Sequence, residues 1–190
     1  MGEERVKIRA ENYPANSWFG SDLHFFHENI LKFEKDSRGR FSNADEMNEY
    51  FVSSWNSLVK PEDNVFYLGD VRFSTNRIEQ RLNGIKHLIL GNHDHTIIES
   101  DWDSVQFYKE IKIDGQLIVL MHYPIASWNR AEHGSIHLHG HMHGGPKNHQ
   151  TGNTRPLVTK KARRMDVGYD ATGSVLLSWK QIAERLISKL

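Results

Sequence analysis

The chain has 190 residues, with 24 basic and 24 acidic side chains and no cysteine. The balanced charge excludes a general electrostatic attraction to nucleic acid or to an anionic membrane. The lack of cysteine excludes disulfides, thiolate metal ligands and a cysteine nucleophile, so that any metal ligands must be His, Asp, Glu or Asn.

The length predicts one compact domain over residues 1–190. The amino-terminal segment MGEERVKIRAENYP is charged where a signal peptide would have an apolar core. No apolar run approaches the roughly 20 residues that a membrane-spanning helix requires. We therefore expect a cytoplasmic protein without a membrane segment.

Five apolar runs rich in β-branched and aromatic residues predict short buried strands. Each run is followed by a polar turn that contains potential metal ligands. The runs begin at residues 17, 64, 86, 116 and 135 and read SWFGSDLH, NVFYLGDVR, KHLILGNHDH, QLIVLMHYP and SIHLHGHMH.

The clearest helical pattern lies between the first two runs and covers Ala44–Val59. Ser42 or Asn43 is expected to cap this helix, and Pro61 follows its end. Four apolar residues are expected on its buried face, namely Met47, Phe51, Trp55 and Leu58.

Two further helices and one hairpin complete the predicted elements. We expect a short helix over Asn76–Leu82 that ends at Asn83-Gly84, and an amphipathic helix over Lys180–Leu190. Asp114-Gly115 separates two apolar runs and is typical of a two-residue β-hairpin turn. Since strands alternate with helices early and dominate later, the chain predicts two packed sheets flanked by helices.

Potential ligands occur in five short motifs, each of which is a weak signal alone. In chain order they are Asp22-x-His24, Gly69-Asp70, Gly91-Asn92-His93-Asp94, His122, and Gly140-His141-x-His143. Five such matches in one chain order, each at the end of a predicted strand, indicate a metal centre built from strand ends.

With these five motifs the sequence resembles the calcineurin-like metallophosphoesterase family, from about Trp18 to about Asp170. The resemblance implies an α/β fold that forms a four-layer α/β/β/α sandwich, with two mixed sheets flanked by helices. It also implies two metal ions that share Asp70. One ion would be held by Asp22, His24, Asp70 and His143, and the other by Asp70, Asn92, His122 and His141.

Two divalent cations about 4 Å apart lower the pKa of a bridging water and neutralise a phosphate. Oxygen and imidazole ligands favour Mn²⁺, Fe, Co, Ni or Zn over Ca²⁺, and we expect Mn²⁺ first. His93 adjoins a ligand without being assigned to a metal, so we expect it to be the catalytic histidine that donates a proton to the leaving oxygen or stabilises its charge. A hydrogen-bonding role in support of the ligands is its alternative.

The expected activity is hydrolysis of a small phosphodiester, such as a cyclic nucleotide or a nucleic-acid end. Val71 to Thr75 lack the second Asp and the Arg of the protein-phosphatase pattern, which argues against a protein phosphatase. The chain also leaves little room for a cap domain. Alternatives are a phosphomonoesterase or nuclease with the same site, or a non-catalytic interaction scaffold of the same fold.

Several residues near the motifs keep two interpretations. His27 is expected either to contact substrate or to support the ligands, and Asp94 either orients His93 or caps its turn. Trp128 and Arg130 either line the cleft or anchor their loop. Asp166, within DVGYD, has no role that the sequence can assign.

The remaining histidines and one basic cluster are predicted to lie outside the chemistry. His137 and His139 are expected to serve strand packing and hydrogen bonding. The expected surface residues are His87, His95, His133 and His149, and the cluster expected in a solvated loop is Lys160, Lys161, Arg163 and Arg164.

Overall fold

A computed structural model of the protein describes residues 10–144 and 163–187. The described residues form ten strands, five α-helices and three single turns of 3₁₀ helix, at Ile78–Arg81, Glu99–Asp101 and Ala131–His133. The strands are β1 (Glu11–Asn12), β2 (Ser17–Gly20), β3 (Asn64–Tyr67), β4 (Ile85–Ile89), β5 (Ser104–Gln106), β6 (Tyr108–Ile113), β7 (Gln116–Met121), β8 (Ile136–His139), β9 (Arg163–Asp166) and β10 (Leu177–Ser178). The α-helices are α1 (Ile30–Phe33), α2 (Lys35–Arg38), α3 (Ala44–Leu58), α4 (Tyr169–Thr172) and α5 (Trp179–Leu186).

The strands form two mixed sheets, so the predicted α/β class with two sheets is confirmed. The first sheet has the order β10-β2-β3-β4-β5, in which β2 to β5 are parallel and β10 is antiparallel. The second has the order β1-β6-β7-β8-β9, in which β7, β8 and β9 are parallel. All five predicted ligand-bearing runs are strands, and each lies among the parallel strands of its sheet.

Alternation along the strands divides the core into two large clusters. On β3, Phe66 packs into a cluster that joins both sheets, with Phe19 on one side and Ile118 on the other. Val65 and Tyr67 point the opposite way, into a cluster with helix α3. A smaller cluster contains Val119, Trp128 and Ala131, so in the described residues a loop and a single 3₁₀ turn cover this part of the second sheet.

Helix α3 agrees with the predicted helix except at its end. The side chain of Asn43 accepts a hydrogen bond from the Glu46 amide, which identifies Asn43 as the N-cap. Met47, Phe51 and Trp55 are fully buried as expected, but Leu58 is 40% exposed. Leu58 is the last residue of the helix and lines an open cleft beside Val175 instead of the core.

The other predicted elements agree in part. The segment expected to form a helix over Asn76–Leu82 makes only the 3₁₀ turn Ile78–Arg81, because the flanking residues Arg77 and Leu82 have non-helical backbone angles. Helix α5 begins one residue before the predicted start, and residues 188–190 lie outside the described residues. Asp114 and Gly115 have φ of 51° and 79° and join antiparallel β6 and β7, which confirms the hairpin.

His87 is not a surface residue, so that prediction is wrong. It lies on β4 between β3 and β5, where its ring contacts Ser104 Oγ at 2.9 Å and Asn64 Oδ1 at 3.1 Å. The ring also stacks on Phe66 with centroids 4.9 Å apart. His95 and His133 are exposed as expected. His149, Lys160 and Lys161 lie outside the described residues, whereas Arg163 and Arg164 lie in strand β9 and are half-buried, so their expected place in a solvated loop is wrong.

Within residues 10–144 and 163–187, no helix has both the length and the apolar composition that crossing a bilayer requires.

Candidate metal centre

The five motifs meet because the carboxyl ends of parallel strands lie at one edge of each sheet. Asp22 follows β2, Asp70 follows β3 and Asn92 follows β4, while His122 follows β7 and His141 follows β8. An isolated bridge between Ser21 and Gly168 joins the two sheets at this edge. Side chains from both sheets therefore converge on one place, although they are up to 121 positions apart in the sequence, from Asp22 to His143.

The first donor set contains Asp22, His24 and His143, with Asp70 beside it. The Nε2 atoms of His24 and His143 are 3.3 Å apart, and they lie 3.7 Å and 3.8 Å from Asp22 Oδ1. Ligand atoms about 2.1 Å from one metal ion lie roughly 3.0–3.4 Å from one another, so these spacings fit a shared cation after a small contraction.

The second donor set contains His122, Asn92 and Asp70. His122 Nε2 lies 3.2 Å from Asn92 Oδ1 and 3.6 Å from Asp70 Oδ2. The ring of His141 lies beside that of His122, with centroids 5.2 Å apart. Each of the seven predicted ligands thus belongs to the cluster at this edge.

Asp70 lies between the two sets. Its Oδ2 is 3.6 Å from His24 Nε2 and also 3.6 Å from His122 Nε2. Its other oxygen, Oδ1, accepts a hydrogen bond from the His93 amide at 2.9 Å, which fixes the rotation of the carboxylate. One oxygen therefore faces both donor sets at equal distance.

The residues fit divalent cations in their donor chemistry and in one unsatisfied atom. Asp22 Oδ1 is buried without a hydrogen-bond partner, and it points toward the nitrogens of His24 and His143. A buried carboxylate oxygen without a partner is costly, and a cation would satisfy it. The set is composed of imidazole nitrogens, carboxylate oxygens and one amide oxygen, which suits Mn²⁺, Fe, Co, Ni or Zn.

Two ligand histidines are oriented by hydrogen bonds from the ring nitrogen that faces away from the cluster. The Nδ1–H of His122 donates to the Leu68 carbonyl at 2.6 Å. The Nδ1–H of His143 donates to Asp170 Oδ2 at 2.7 Å. In both residues this leaves the Nε2 lone pair directed toward the other donors.

Asp170 in turn is held by a buried arginine. Arg38 donates from Nε to Asp170 Oδ1 at 2.8 Å and from an η nitrogen to Oδ2 at 2.7 Å. The same guanidinium donates to the carbonyls of Asp22 and Leu23 at 2.5 Å and 2.8 Å. Arg38 thus fixes both the Asp170 carboxylate, which orients His143, and the backbone at the ligand Asp22.

Neither supporting residue was found from the sequence. Asp170 ends DVGYD, a stretch in which the residue types alone predict no ligand-orienting role. Arg38 lies in α2, in a segment with no ligand motif, and its contact with Asp170 spans 132 positions.

Asp94 caps its turn instead of orienting His93, which decides between its two interpretations. Its carboxylate accepts hydrogen bonds from the amides of Gly91 at 2.7 Å, Asp70 at 2.9 Å and Val71 at 2.8 Å. These bonds tie the loop after β4 to the loop after β3. Burial raises the pKa of Asp94, although the three amides oppose that effect.

His93 lies on the open side of the cluster. The side chain is exposed, and its ring centroid is 5.7 Å from that of His24 and 4.7 Å from that of Phe73. It belongs to neither donor set. This position is compatible with contact to a substrate that approaches from solvent.

Several ligands have a left-handed backbone that the sequence did not predict. The φ angles of Asp22, His24, Asp70, His141 and His143 lie between 45° and 71°. For side chains other than glycine this conformation costs of order 1 kcal/mol per residue and is concentrated at functional sites. It also explains why HLHGHMH is not one strand, since β8 ends at His139 and the last two histidines lie in a loop.

Two glycines permit this close packing. Gly69 has φ of 89°, and a Cβ there would lie 2.8 Å from His122 Nδ1. A Cβ at Gly140 would collide with Ser21 Oγ and Asp22 Oδ2. Any larger residue at either position would displace a donor.

The electrostatics differ among the ligands: they favour an ionised Asp22 and a neutral His24, but a protonated His143 in the metal-free protein. Burial opposes ionisation of Asp22, yet the neighbouring histidines, His24 first, hold its pKa well below the usual range. Burial lowers the pKa of His24. Burial opposes protonation of His143 as well, but its hydrogen bond to Asp170 outweighs that effect and raises its pKa.

Asp166 lies close to the cluster without joining either donor set. Its Oδ1 accepts a hydrogen bond from the Gly168 amide at 2.8 Å, and its Oδ2 is buried without a partner. Burial and the nearby Asp22 carboxylate raise the pKa of Asp166 to about 6.

The residues expected to serve packing do so. His137 is fully buried, with ring nitrogens 3.2 Å from the carbonyls of Val119 and Tyr123, and the Nδ1–H of His139 donates to the Gly140 carbonyl at 2.9 Å.

Trp128 anchors its loop by packing in the cluster with Val119 and Ala131. Arg130 lines a surface pocket with Gly134 and Ser135, away from the donor sets.

The chain matches no protein-family model. It is similar to the uncharacterized protein MJ1445 of Methanocaldococcus jannaschii, with 31% identity over 176 residues that span 90% of this chain and 88% of that protein. The gene 66 protein of Mycobacterium phage L5 is 26% identical over 202 residues, which span 85% of this chain and 90% of the phage protein. The crystal structure of AQ665, a protein of unknown function from Aquifex aeolicus, covers 90% of this chain with a TM-score of 0.69. The match spans 98% of the AQ665 chain at 24% sequence identity, so the likeness shows a shared fold alone.

Proposed function

The chain belongs to the same family as the uncharacterized Methanocaldococcus jannaschii protein, and we propose from the geometry of its site that this chain is a dinuclear metal-dependent phosphoesterase. Its preferred substrate in this proposal is a small phosphodiester. The two-sheet architecture is consistent with the four-layer sandwich of metallophosphoesterases, which belongs to the same proposal.

The shared oxygen of Asp70 carries the proposal. One carboxylate oxygen at 3.6 Å from a histidine of each donor set is the arrangement expected of a residue that bridges two cations. A single-metal site would need only one of the sets. Asp70 would contact both cations, whereas Asp22 and His143 would contact one.

The cations would supply charge neutralisation for the phosphate and would lower the pKa of a bound water. The protein itself would contribute few formal charges. Asp22 and Asp70 are the only anionic ligands among the seven, so two dications would leave the centre with net positive charge. An anionic ester would be attracted to such a centre.

His93 would act on the leaving group. It is exposed at the mouth of the cluster, next to the first donor set but outside it. Its imidazole would donate a proton to the leaving oxygen or stabilise the charge that develops there, which typically contributes about 10²- to 10⁴-fold to the rate.

The first experiment is hydrolysis of bis(p-nitrophenyl) phosphate by chelator-stripped protein, with and without Mn²⁺, beside p-nitrophenyl phosphate. Manganese-dependent cleavage that favours the diester would support the proposal. Preference for the monoester would favour a phosphomonoesterase. Absence of cleavage in folded, metal-loaded protein would contradict the proposal and favour the interaction scaffold.

His93→Ala tests the assigned role within that assay. We expect the variant to keep its metal and to lose about 10²- to 10⁴-fold in turnover, because the proton donor is removed while the ligands stay. The matched control is His95→Ala, which removes an exposed histidine two residues away and should leave turnover unchanged. Loss of metal from His93→Ala, measured by elemental analysis, would contradict the assignment.

A further inference from the structure

Phe73 is an exposed aromatic side chain beside the first donor set. It is 40% exposed, and its ring centroid lies 5.3 Å from that of His24 and 4.7 Å from that of His93. Part of this aromatic surface is therefore open to a ligand that approaches the donor sets.

The ring of His27 stacks on that of Phe73. The two rings are stacked, with centroids 4.0 Å apart and planes 18° from parallel. The ring of Phe33, which is 65% exposed, meets His27 edge-on at 6.1 Å. The His27 ring also lies 5.7 Å from that of His24, but among the described residues no group of candidate metal donors includes His27.

Hydrogen bonds fix the backbone at Phe73. The Phe73 amide donates to the Phe25 carbonyl at 2.8 Å, and an isolated bridge joins Phe25 to Arg72. Arg72 is buried and donates to both oxygens of Glu79, at 3.0 Å and 3.1 Å. A ring fixed in this way is preorganised, because little side-chain freedom is lost when a ligand stacks on it.

We propose that Phe73 and His27 form an aromatic shelf that stacks the nucleobase of a substrate whose phosphate lies at the metal centre. The inference rests on the proposed phosphoesterase function and names the substrate class for that site. The substrate is a nucleotide ester or a single-stranded nucleic-acid end, since a paired base inside a duplex has no free face to stack.

Stacking suits this shelf better than base-specific recognition does. Every nucleobase has a π face, so a phenyl ring binds all four without hydrogen bonds, and each stacked base typically changes affinity by about 5- to 150-fold. The ring lies beside His93, where the ester groups of a bound phosphate would project. We therefore expect a preference for esters with a base over aliphatic esters, without strong base selectivity.

The test compares two substrates with the same leaving group, thymidine 5′-(p-nitrophenyl) phosphate and methyl p-nitrophenyl phosphate. In Phe73→Leu, the ratio of the two kcat/KM values should fall about tenfold from its wild-type value, because leucine keeps apolar volume but not the π face. The ratio cancels any loss of active protein. Phe107→Leu is the matched control, since Phe107 is 72% exposed and lies beyond β5, and its ratio should equal that of the wild type.

A second pair of variants separates stacking from proton transfer or metal binding by His27. His27→Leu should lower the ratio, and His27→Phe should restore it, because phenylalanine keeps the stacked partner of Phe73. Failure of His27→Phe to restore the ratio would overturn the role assigned to His27.

A binding measurement gives a readout that needs no turnover. Fluorescence of 2-aminopurine riboside 5′-monophosphate is quenched by stacking, so wild-type protein, with or without Zn²⁺, should quench it saturably, and Phe73→Leu should not. Equal quenching by both proteins, or none by the wild type, would overturn the shelf. Hydrolysis with an unchanged ratio in Phe73→Leu would also overturn it while the phosphoesterase function stands. Absence of all hydrolysis would instead refute the proposed function.

The source of the base is decided by length and strandedness. Preference for a dinucleotide over a longer single strand would identify mononucleotide esters, and the reverse would identify nucleic-acid ends. Equal or faster cleavage of a duplex with no frayed end would contradict the shelf, because its bases stay stacked on one another.

Discussion

At the scale of single residues, His143 depends on a carboxylate that lies outside the five motifs. Asp170 accepts its Nδ1–H, and Arg38 holds Asp170 from behind. Partners of this kind typically change metal affinity by about 10- to 100-fold when they are removed, since they fix the tautomer and direction of the ligand ring.

We therefore predict that Asp170→Asn lowers the affinity of the first donor set for Mn²⁺ by about tenfold or more, with little effect on the second. The physical reason is that an amide cannot fix the His143 tautomer as a carboxylate does. Competition titration with a chelator should show one of two sites weakened. Asp36→Asn, which changes an exposed acid in the same helix as Arg38, serves as the control. Equal weakening of both sites would contradict the separate roles of the two sets.

The donors themselves could be predicted from the sequence because their residue types and order are local features. Their supports could not, because Arg38 meets Asp170 only through the tertiary fold. The left-handed backbone at Asp22, His24 and Asp70 was also unpredictable, since nothing local in an Asp or His residue requires positive φ.

At the scale of elements, α3 connects the hydrophobic core to the loop that carries the first motif. Its buried Asn48 accepts a hydrogen bond from the Phe26 amide at 3.0 Å, between His24 and His27. The helix begins at the Asn43 cap, whose oxygen satisfies the Glu46 amide. The sequence limits the cap to Ser42 or Asn43, whereas it gives no sign of the contact between Asn48 and a loop 22 positions away.

Asn43→Ala is expected to lower the free energy of unfolding by about 1 kcal/mol, because the Glu46 amide loses its partner. Asn43→Ser keeps a capping oxygen and should stay within a few tenths of a kcal/mol of the wild type. Urea denaturation of metal-free protein measures both. A loss of similar size in Asn43→Ser would show that the cap is not the cause.

At the scale of the whole molecule, the meeting of two sheet edges builds the site. Short apolar runs with ligands after them predicted both the strands and their convergence, because parallel strands end at one edge. The polarity of His87 suggests the surface, but its place on the inner strand β4 puts it between β3 and β5, where it is buried. Polar partners at Asn64 and Ser104 make that burial tolerable.

The stability of the fold is expected to depend on pH through the buried His137. Burial lowers the pKa of His137 from its usual 6.5 to about 4, although its contacts with the carbonyls of Val119 and Tyr123 oppose that effect. The unfolded chain therefore takes up this proton first as the pH falls. The contribution of the neutral His137 to the free energy of unfolding is complete above about pH 6.5 and is lost progressively toward pH 4.

For metal-free protein, this difference corresponds to about 2 kcal/mol of unfolding free energy lost between pH 7 and pH 5. His137→Gln should reduce the pH dependence by that amount, whatever its effect at pH 7, because glutamine does not titrate. His133→Gln, at an exposed position, should keep the wild-type dependence. Denaturation curves at the two pH values decide the matter: an unchanged pH dependence in His137→Gln would mean that His137 accepts a proton in the folded protein as readily as in the unfolded chain.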